Sequence, residues 1–424
     1  MSSRRNSNLN EERAGILDDI TNATLDQGLH FPTGWTKGIY SFDGWPYWRL
    51  LIRQFARFLV PSFLQGQHMR DQIWPAELGP TAYLDGMRGI ACLMVYLCHF
   101  TAPSYGIGHG WGHEGNRDFM RLPFVRLLYA GGSAVSVFFI ISGYALSYKP
   151  IQHIRNRKLG DFCNVMCSMA FRRVYGGQLW TIAVEFRSSF YLFGVILTTA
   201  RLRTRYRFLT VMTVAYISYR ACRSDMILFL MGMLLVENDH IRGAHVPAVI
   251  GDEKHKPTQS RLETVFWHLL GILALFLLSM PERSDDTPGW VYLTSRIPKW
   301  WRKDSKAIWY WNTVGATFFL LTVTHSPWWQ RVFNSAIAQY LGKISFSLYL
   351  VHNIVFQVIG QHLQKLVWDI TGVEGNAYPV GFVLGGLLCL AVNICVADVF
   401  WRAVDTPVVK FARWVESKAI VKSH

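Results

Sequence analysis

The sequence predicts an all-α bundle, a polytopic membrane protein of eight or nine spanning helices, and three observations predict it. The first is composition. Of the 424 residues, 51% are hydrophobic, 15% aromatic and only 17% charged, and mean hydropathy is +0.16 with both polar ends included. The second is that several stretches approach or exceed the roughly 20 apolar residues a helix needs to cross a bilayer. The third is the placement of charge. The chain has 43 basic and 28 acidic residues, a net charge of +15. The basic residues cluster in short segments between apolar stretches, where orientation in a membrane explains them better than nucleic acid does.

Taken in order, residues 1–80 read as a cytosolic tail. Its first 40 or so residues are polar and lack an apolar h-region, so no cleavable signal peptide is expected. Between Trp45 and Leu64, Arg49, Arg53 and Arg57 recur every four residues and form one basic stripe among aromatics. That pattern suits a helix lying in the headgroup plane.

The first span, roughly 87–104, is apolar except for Arg88 and His99, eleven positions apart. On an α-helix that spacing is about 16 Å of rise and within about 20° of a whole number of turns. One helix face therefore carries a guanidinium at its start and an imidazole near its end, and both are expected to face one buried cavity. Asp85 can pair with Arg88 at the helix entrance. An ionisable residue inside an apolar span marks a functional site by default. The alternative is an Arg88 that snorkels to the interface and a His99 at the opposite one.

The Gly-rich loop that follows holds His109, His113 and Glu114. They lack HExxH spacing, and the glycines oppose a helix that would align ligands, so no metal is expected. None of the seven cysteines (Cys92, Cys98, Cys163, Cys167, Cys222, Cys389 and Cys395) has a CxxC partner, which indicates neither zinc nor a disulfide framework.

The second span, roughly 127–148, has Gly131, Gly132 and Gly143 for close helix packing, with Ser142 and Tyr144 adding hydroxyls. A basic loop follows. The third span, roughly 179–200, carries Glu185 near its start and Trp180 five residues before it. A carboxylate there needs a partner or a wet cavity; it is either half of an ion pair or part of a site. The segment 201–207, RLRTRYR, is the strongest cytosolic signal. Further apolar stretches lie near 208–222, 226–237, 264–280, 307–324, 341–362 and 379–401. The loop 238–262 reads as solvated, and the tail from Arg402 to Lys422 as cytosolic. One conflict stands: the basic loops 149–178 and 201–207 flank a single span, yet both should be cytosolic. Either that span re-enters or the chain is short of a segment.

Six stretches, in this order, resemble the acyltransferase-3 family of membrane acyltransferases in its fungal form: LDGMRGIACLMVYLCHF (84–100, with the Arg-x10-His signature), SVFFIISGYALS (136–147), LWTIAVEFRSSF (179–190), FLMGMLLVE (229–237), KISFSLYLVH (343–352) and RAVDTPVVKFAR (402–413). The resemblance implies an acyltransferase-3-like transmembrane domain over 81–415, with 416–424 as a short cytosolic tail. It also shows a gap. Gly176, Gly177 and Gln178 bridge a place where the family has further spanning sequence, which would open the core around Glu185.

The resemblance implies transfer of an acyl group, commonly acetyl, from acyl-CoA as co-substrate to a hydroxyl of a carbohydrate, lipid or small metabolite. No cofactor is held, and the partners are acyl-CoA, the acceptor and membrane lipid, with no nucleic acid. The residues suit that chemistry. Arg88 can bind CoA phosphate and His99 can be the base. His352, Ser345 and Tyr349 share a helical face, and Glu185 can orient an imidazole or acceptor hydroxyl. Ser142, Tyr144, Trp180, Ser345 and Tyr349 are the substrate-binding candidates, Ser345 and Tyr349 serving equally as packing groups. The competing readings are a transporter-like carrier, in which the same Arg, His and Glu line a permeation path, and an inactive truncated relative.

Overall fold

The structure is a computed structural model that describes residues 45–65, 78–156, 180–244, 260–284, 287–303 and 306–419. Among these residues every long element is a helix, and the only β-pairing is an isolated bridge between His109 and Arg283. The gap at 176–178 lies outside the described residues.

The chain divides into a unit Met1–Phe58 and a unit Leu59–His424. The first contains most of α1 (Trp45–Leu59), the helix expected from the arginine stripe; Ile52 and Phe55 are exposed on it. The second unit is built from α2 (Ala82–Thr101), α3 (Gly131–Arg155), α4 (Trp180–Thr199), α5 (Thr204–Arg220), α6 (Ser224–Ile241) and α7 (Arg261–Leu278). It continues with α8 (Ala307–His325), α9 (Pro327–Phe333), α10 (Ala336–Val355), α11 (Gln361–Thr371), α12 (Ala377–Phe400) and α13 (Thr406–Ala419). A capping box starts α7: Ser260 accepts from the Glu263 amide and Glu263 from the Ser260 amide.

Among the described residues, five helical stretches are long and apolar enough to cross a membrane by length and composition: α3, α4, α7, the run Ala336–Thr371 and the run Ala377–Val415. The last two pass without a break through π-turns at Phe356–Gly360 and Trp401–Asp405. The sequence reading ends its apolar segments at 362 and 401, because it follows hydropathy while the backbone stays helical past the apolar residues. The same reason carries α3 through Pro150 to Arg155, where the sequence suggested a loop. Most of the tail after Arg402 is likewise helical, as α13.

Two close helix pairs set the geometry. In α2, a Cβ on Gly89 would lie 2.3 Å from the Gly342 amide nitrogen of α10, and one on Gly342 would lie 2.4 Å from the Asp85 carbonyl oxygen. The same fit joins α3 to α6, where a Cβ on Gly143 would meet the Phe229 carbonyl at 2.4 Å and one on Gly232 the Ile140 carbonyl at 2.5 Å. Glycine lets two backbones touch, and dispersion over the long contact holds them. Around these pairs lies a core with Met87, Ile140, Phe229, Met233, Leu320 and Ile344 buried. Met280, Trp290, Ile297 and Trp301 form a second, smaller core.

Because the α2–α10 contact is backbone against backbone, Gly342→Ala should destabilise the bundle by about 1–3 kcal/mol, the usual cost of overpacking. Thermal unfolding in detergent measures it. An unchanged midpoint would mean that the two helices separate without cost.

Two clusters of buried charge are paired. Arg207 and Glu237 lie 3% and 1% exposed in a two-pronged pair, with Nε donating to Oε2 at 2.7 Å and Nη2 donating to Oε1. Arg207 thus leaves the basic loop in which the sequence reading placed it and enters the first turn of α5. Asp398, fully buried, accepts from the Ser62 amide at 2.9 Å, the Ser62 hydroxyl, the Tyr340 hydroxyl at 3.1 Å and Arg402 Nε at 2.9 Å. That cluster ties the segment after Leu59 to α10 and α12.

Candidate functional site

The α2–α10 contact places two pairs of side chains. At its start, Arg88 Nε donates to the Ser345 hydroxyl at 3.1 Å, and Nη2 reaches the Gly342 carbonyl at 3.4 Å and Asp85 Oδ1 at 3.1 Å. The Asp85–Arg88 pair expected from their three-residue spacing is therefore formed. Near its end, the rings of His99 and His352 stack with centroids 5.3 Å apart and planes 25° apart.

The two ends open into different cavities. The larger, about 890 Å³, is lined by His99, Trp180 and Trp309 together with His109, Glu282 and Arg283 from the loops. The smaller, about 380 Å³, is lined by Arg88, Ser142, Glu185, Lys343 and Ser345. Arg88 and His99 do not face one chamber, which corrects the expectation from their spacing. Val135, Thr181 and Tyr349 line both cavities, so side chains from α3, α4 and α10 stand between the two ends of α2.

The other sequence candidates sort onto this frame. Ser142 donates to the Glu185 carboxylate, and both belong to the smaller cavity. Among the described residues Glu185 makes no hydrogen bond to an imidazole. Trp180 stands at the larger cavity against Trp309, their rings edge to face at 6.1 Å. Tyr144 reaches neither: it is fully buried and donates to Asp239 Oδ2 at 2.7 Å. Its role is to hold α3 to α6.

His352 is 3% exposed and lines neither cavity. Its Nδ1 lies 2.7 Å from the Tyr349 carbonyl and 3.2 Å from the Leu348 carbonyl. A carbonyl only accepts, so Nδ1 carries the proton, and the Nε2 lone pair stays buried with no hydrogen-bond partner. His99 makes no hydrogen bond among the described residues and stands at the wall of the larger cavity. Of the two imidazoles, only His99 can meet a substrate directly.

Loops complete the larger cavity. The guanidinium of Arg126, 3% exposed, donates to the His109 carbonyl at 3.4 Å and the Ile107 carbonyl at 3.3 Å, fixing the Gly-rich loop. Burial lowers its pKa from the usual arginine value. His109 and His113 stack ring on ring at 3.8 Å. Among the described residues no three His, Cys, Asp or Glu side chains converge on a common point.

Sequence reasoning missed Thr181, Lys343 and Arg283. Thr181 and Lys343 sit inside quoted motifs, beside Trp180 and at the head of KISFSLYLVH, so attention to every polar residue of those motifs finds them. Arg283 lies in a loop of mixed charge, and only the fold brings it to the cavity.

Fold and cavities define a helical membrane protein with a basic chamber and an imidazole chamber on one helix. Residues 81–164 match the acyltransferase domain of the acyltransferase-3 family. The chain is 26% identical over 459 aligned residues to the O-acetyltransferase PaAT-1 of Phomopsis amygdali, covering 85% of this chain and 88% of that protein. It is 24% identical over 257 residues to the acyltransferase clz18 of Cochliobolus lunatus (57% of this chain, 52% of that one). It is also 21% identical over 459 residues to the acyltransferase R4 of a Phoma species (78% and 95%). No solved structure matches. The acyltransferase-3 resemblance stands on these matches, which support a transferase activity.

Proposed function

We propose that this enzyme moves an acyl group, acetyl in the first instance, from acyl-CoA to a hydroxyl of a carbohydrate, lipid or small metabolite. The observation that carries this reading is His99: an imidazole with no hydrogen-bond partner among the described residues, at the wall of a large cavity and backed by the buried ring of His352. His99 takes the proton of the acceptor hydroxyl as its oxygen attacks the thioester carbonyl carbon. The tetrahedral intermediate collapses with cleavage of the C–S bond, and the CoA thiolate takes the proton back from the imidazolium. The acceptor lies in the larger cavity against Trp180 and Trp309. The smaller cavity takes the CoA end, where Arg88 and Lys343 supply cations for phosphate.

The rise from Arg88 to His99, about 16 Å, is within reach of a pantetheine arm. The name of the Phomopsis amygdali relative favours acetyl and an oxygen acceptor. We place the bundle in the membrane with eight spans, the even number that lets both termini lie on the cytosolic side. The Arg88 end of α2 then faces the compartment that supplies acyl-CoA.

The test is labelled acetyl-CoA incubated with purified protein and a cell extract, followed by identification of the labelled product. A labelled O-ester absent from a heat-inactivated control is the expected result. Retained acetyl-CoA binding with no label transferred would instead favour an inactive relative or a carrier. Arg88→Lys keeps the charge but loses the planar fork, so acyl-CoA should bind about tenfold more weakly, the equivalent of one charge-assisted hydrogen bond. Equilibrium binding measures it, and unchanged affinity in both the Lys and Ala variants would move the CoA site elsewhere.

A further inference from the structure

Thr181 and Tyr349 line both cavities. Their hydroxyls hydrogen-bond to each other across the space between α4 and α10, and both side chains are buried. Among the described residues, Val135 of α3 is the only other one common to the two linings. Two hydrogen-bonded side chains and one valine therefore stand where the Arg88 chamber and the His99 chamber adjoin.

On the reading that acyl-CoA enters beside Arg88 and the acceptor lies beside His99, every acyl group has to reach past this boundary. We infer that the Thr181–Tyr349 pair is the partition through which the acyl group is presented to His99, and that its width selects short acyl groups. Thr181 closes the aperture with one methyl and one hydroxyl, and Tyr349 with the edge of its ring. A two-carbon acyl group needs the pair to part only slightly. Each further methylene needs room that Val135 and the Tyr349 ring deny, and a misplaced methylene in a shaped apolar site changes rates about tenfold or more. Lengthening the acyl chain thus slows transfer at the partition, independently of how well the CoA portion binds at Arg88.

Two measurements on the full-length protein test this. In nanodiscs, thioester cleavage is followed by release of CoA thiol from acetyl-, butyryl-, hexanoyl- and octanoyl-CoA with water as acceptor. Thr181→Ala should raise the hexanoyl-to-acetyl ratio about tenfold, whereas Thr181→Val, which keeps the volume and loses the hydroxyl, should leave that ratio near the native one. Equal ratios in the native, Ala and Val proteins would overturn the selectivity.

The second measurement needs no turnover. Cys98 lines the larger cavity and Ala145 the smaller. In sealed microsomes, an impermeant maleimide followed by peptide mass spectrometry should label Ala145→Cys from one face and Cys98 from the other. Adding Thr181→Ala should make Cys98 reachable from the Ala145 face, with labelling about tenfold faster, as expected when the side chain that fills the aperture is cut back. If Cys98 labels from that face equally in native and Thr181→Ala protein, the pair is no partition, whatever the acyl donor is. If the labelling shift appears but no acyl-CoA is cleaved, the partition stands and the acyl-CoA reading fails.

Discussion

His99→Ala should lower acyl transfer by about 10²–10⁴-fold, the usual contribution of a positioned base, with the protein still folded in detergent. The fold should survive because the ring is only partly buried and lines the larger cavity. His99→Gln is the sharper variant: it keeps polarity and most of the volume but cannot take a proton at neutral pH. His352→Ala separates the two imidazoles. His352 reaches neither cavity and its Nδ1 proton is spent on backbone carbonyls, so its loss should act through the orientation of His99 and cost less. Single-turnover transfer of labelled acetyl, compared across the three variants, gives the ranking. Near-normal turnover in both His99 variants would move the chemistry to another group. The sign with pH follows from the role: a base works only as neutral imidazole, so transfer falls as pH drops through the titration of His99, and the His99→Gln protein should lose that dependence.

Glu237→Ala should cost about 3–5 kcal/mol of stability, the expense of leaving one buried charge without its partner. Its carboxylate and the Arg207 guanidinium are almost wholly removed from solvent and joined by two hydrogen bonds, with Arg207 Nη1 also reaching the Leu202 carbonyl at 3.3 Å. Water has no access to replace the lost carboxylate. The double change Arg207→Met with Glu237→Leu removes both charges and should recover most of the loss, since apolar replacement of a buried pair is often neutral or better. Thermal unfolding followed by size-exclusion chromatography reads both. A single variant as stable as the native chain would show that water or another cation reaches Arg207.

The sequence carried more of the fold than of the site, and particular residues show why. The all-α class follows from apolar runs that need no partner to be recognised, and the Asp85–Arg88 pair from a spacing within one helical turn. The close crossings at Gly89 with Gly342 and at Gly143 with Gly232 were half visible: Gly143 could be read as a packing residue, but nothing local says that its partner is Phe229. Glu185 illustrates the limit. Its need for a partner was legible, while the choice of Ser142, 43 residues earlier in the chain, was made by the packing of α4 on α3.

By itself the sequence determined that Arg88 and His99 project from one face of one helix, because helical geometry is local and eleven residues close three turns. Only the tertiary structure decided that this face looks into two chambers instead of one. Thr181 and Tyr349 arrive there from α4 and α10, and where they arrive depends on how three helices pack. Periodicity within any one helix does not contain that information. The same holds for the two imidazoles: the residue types marked both His99 and His352 as candidates, but burial under α2 made one the wall of a cavity and the other its support.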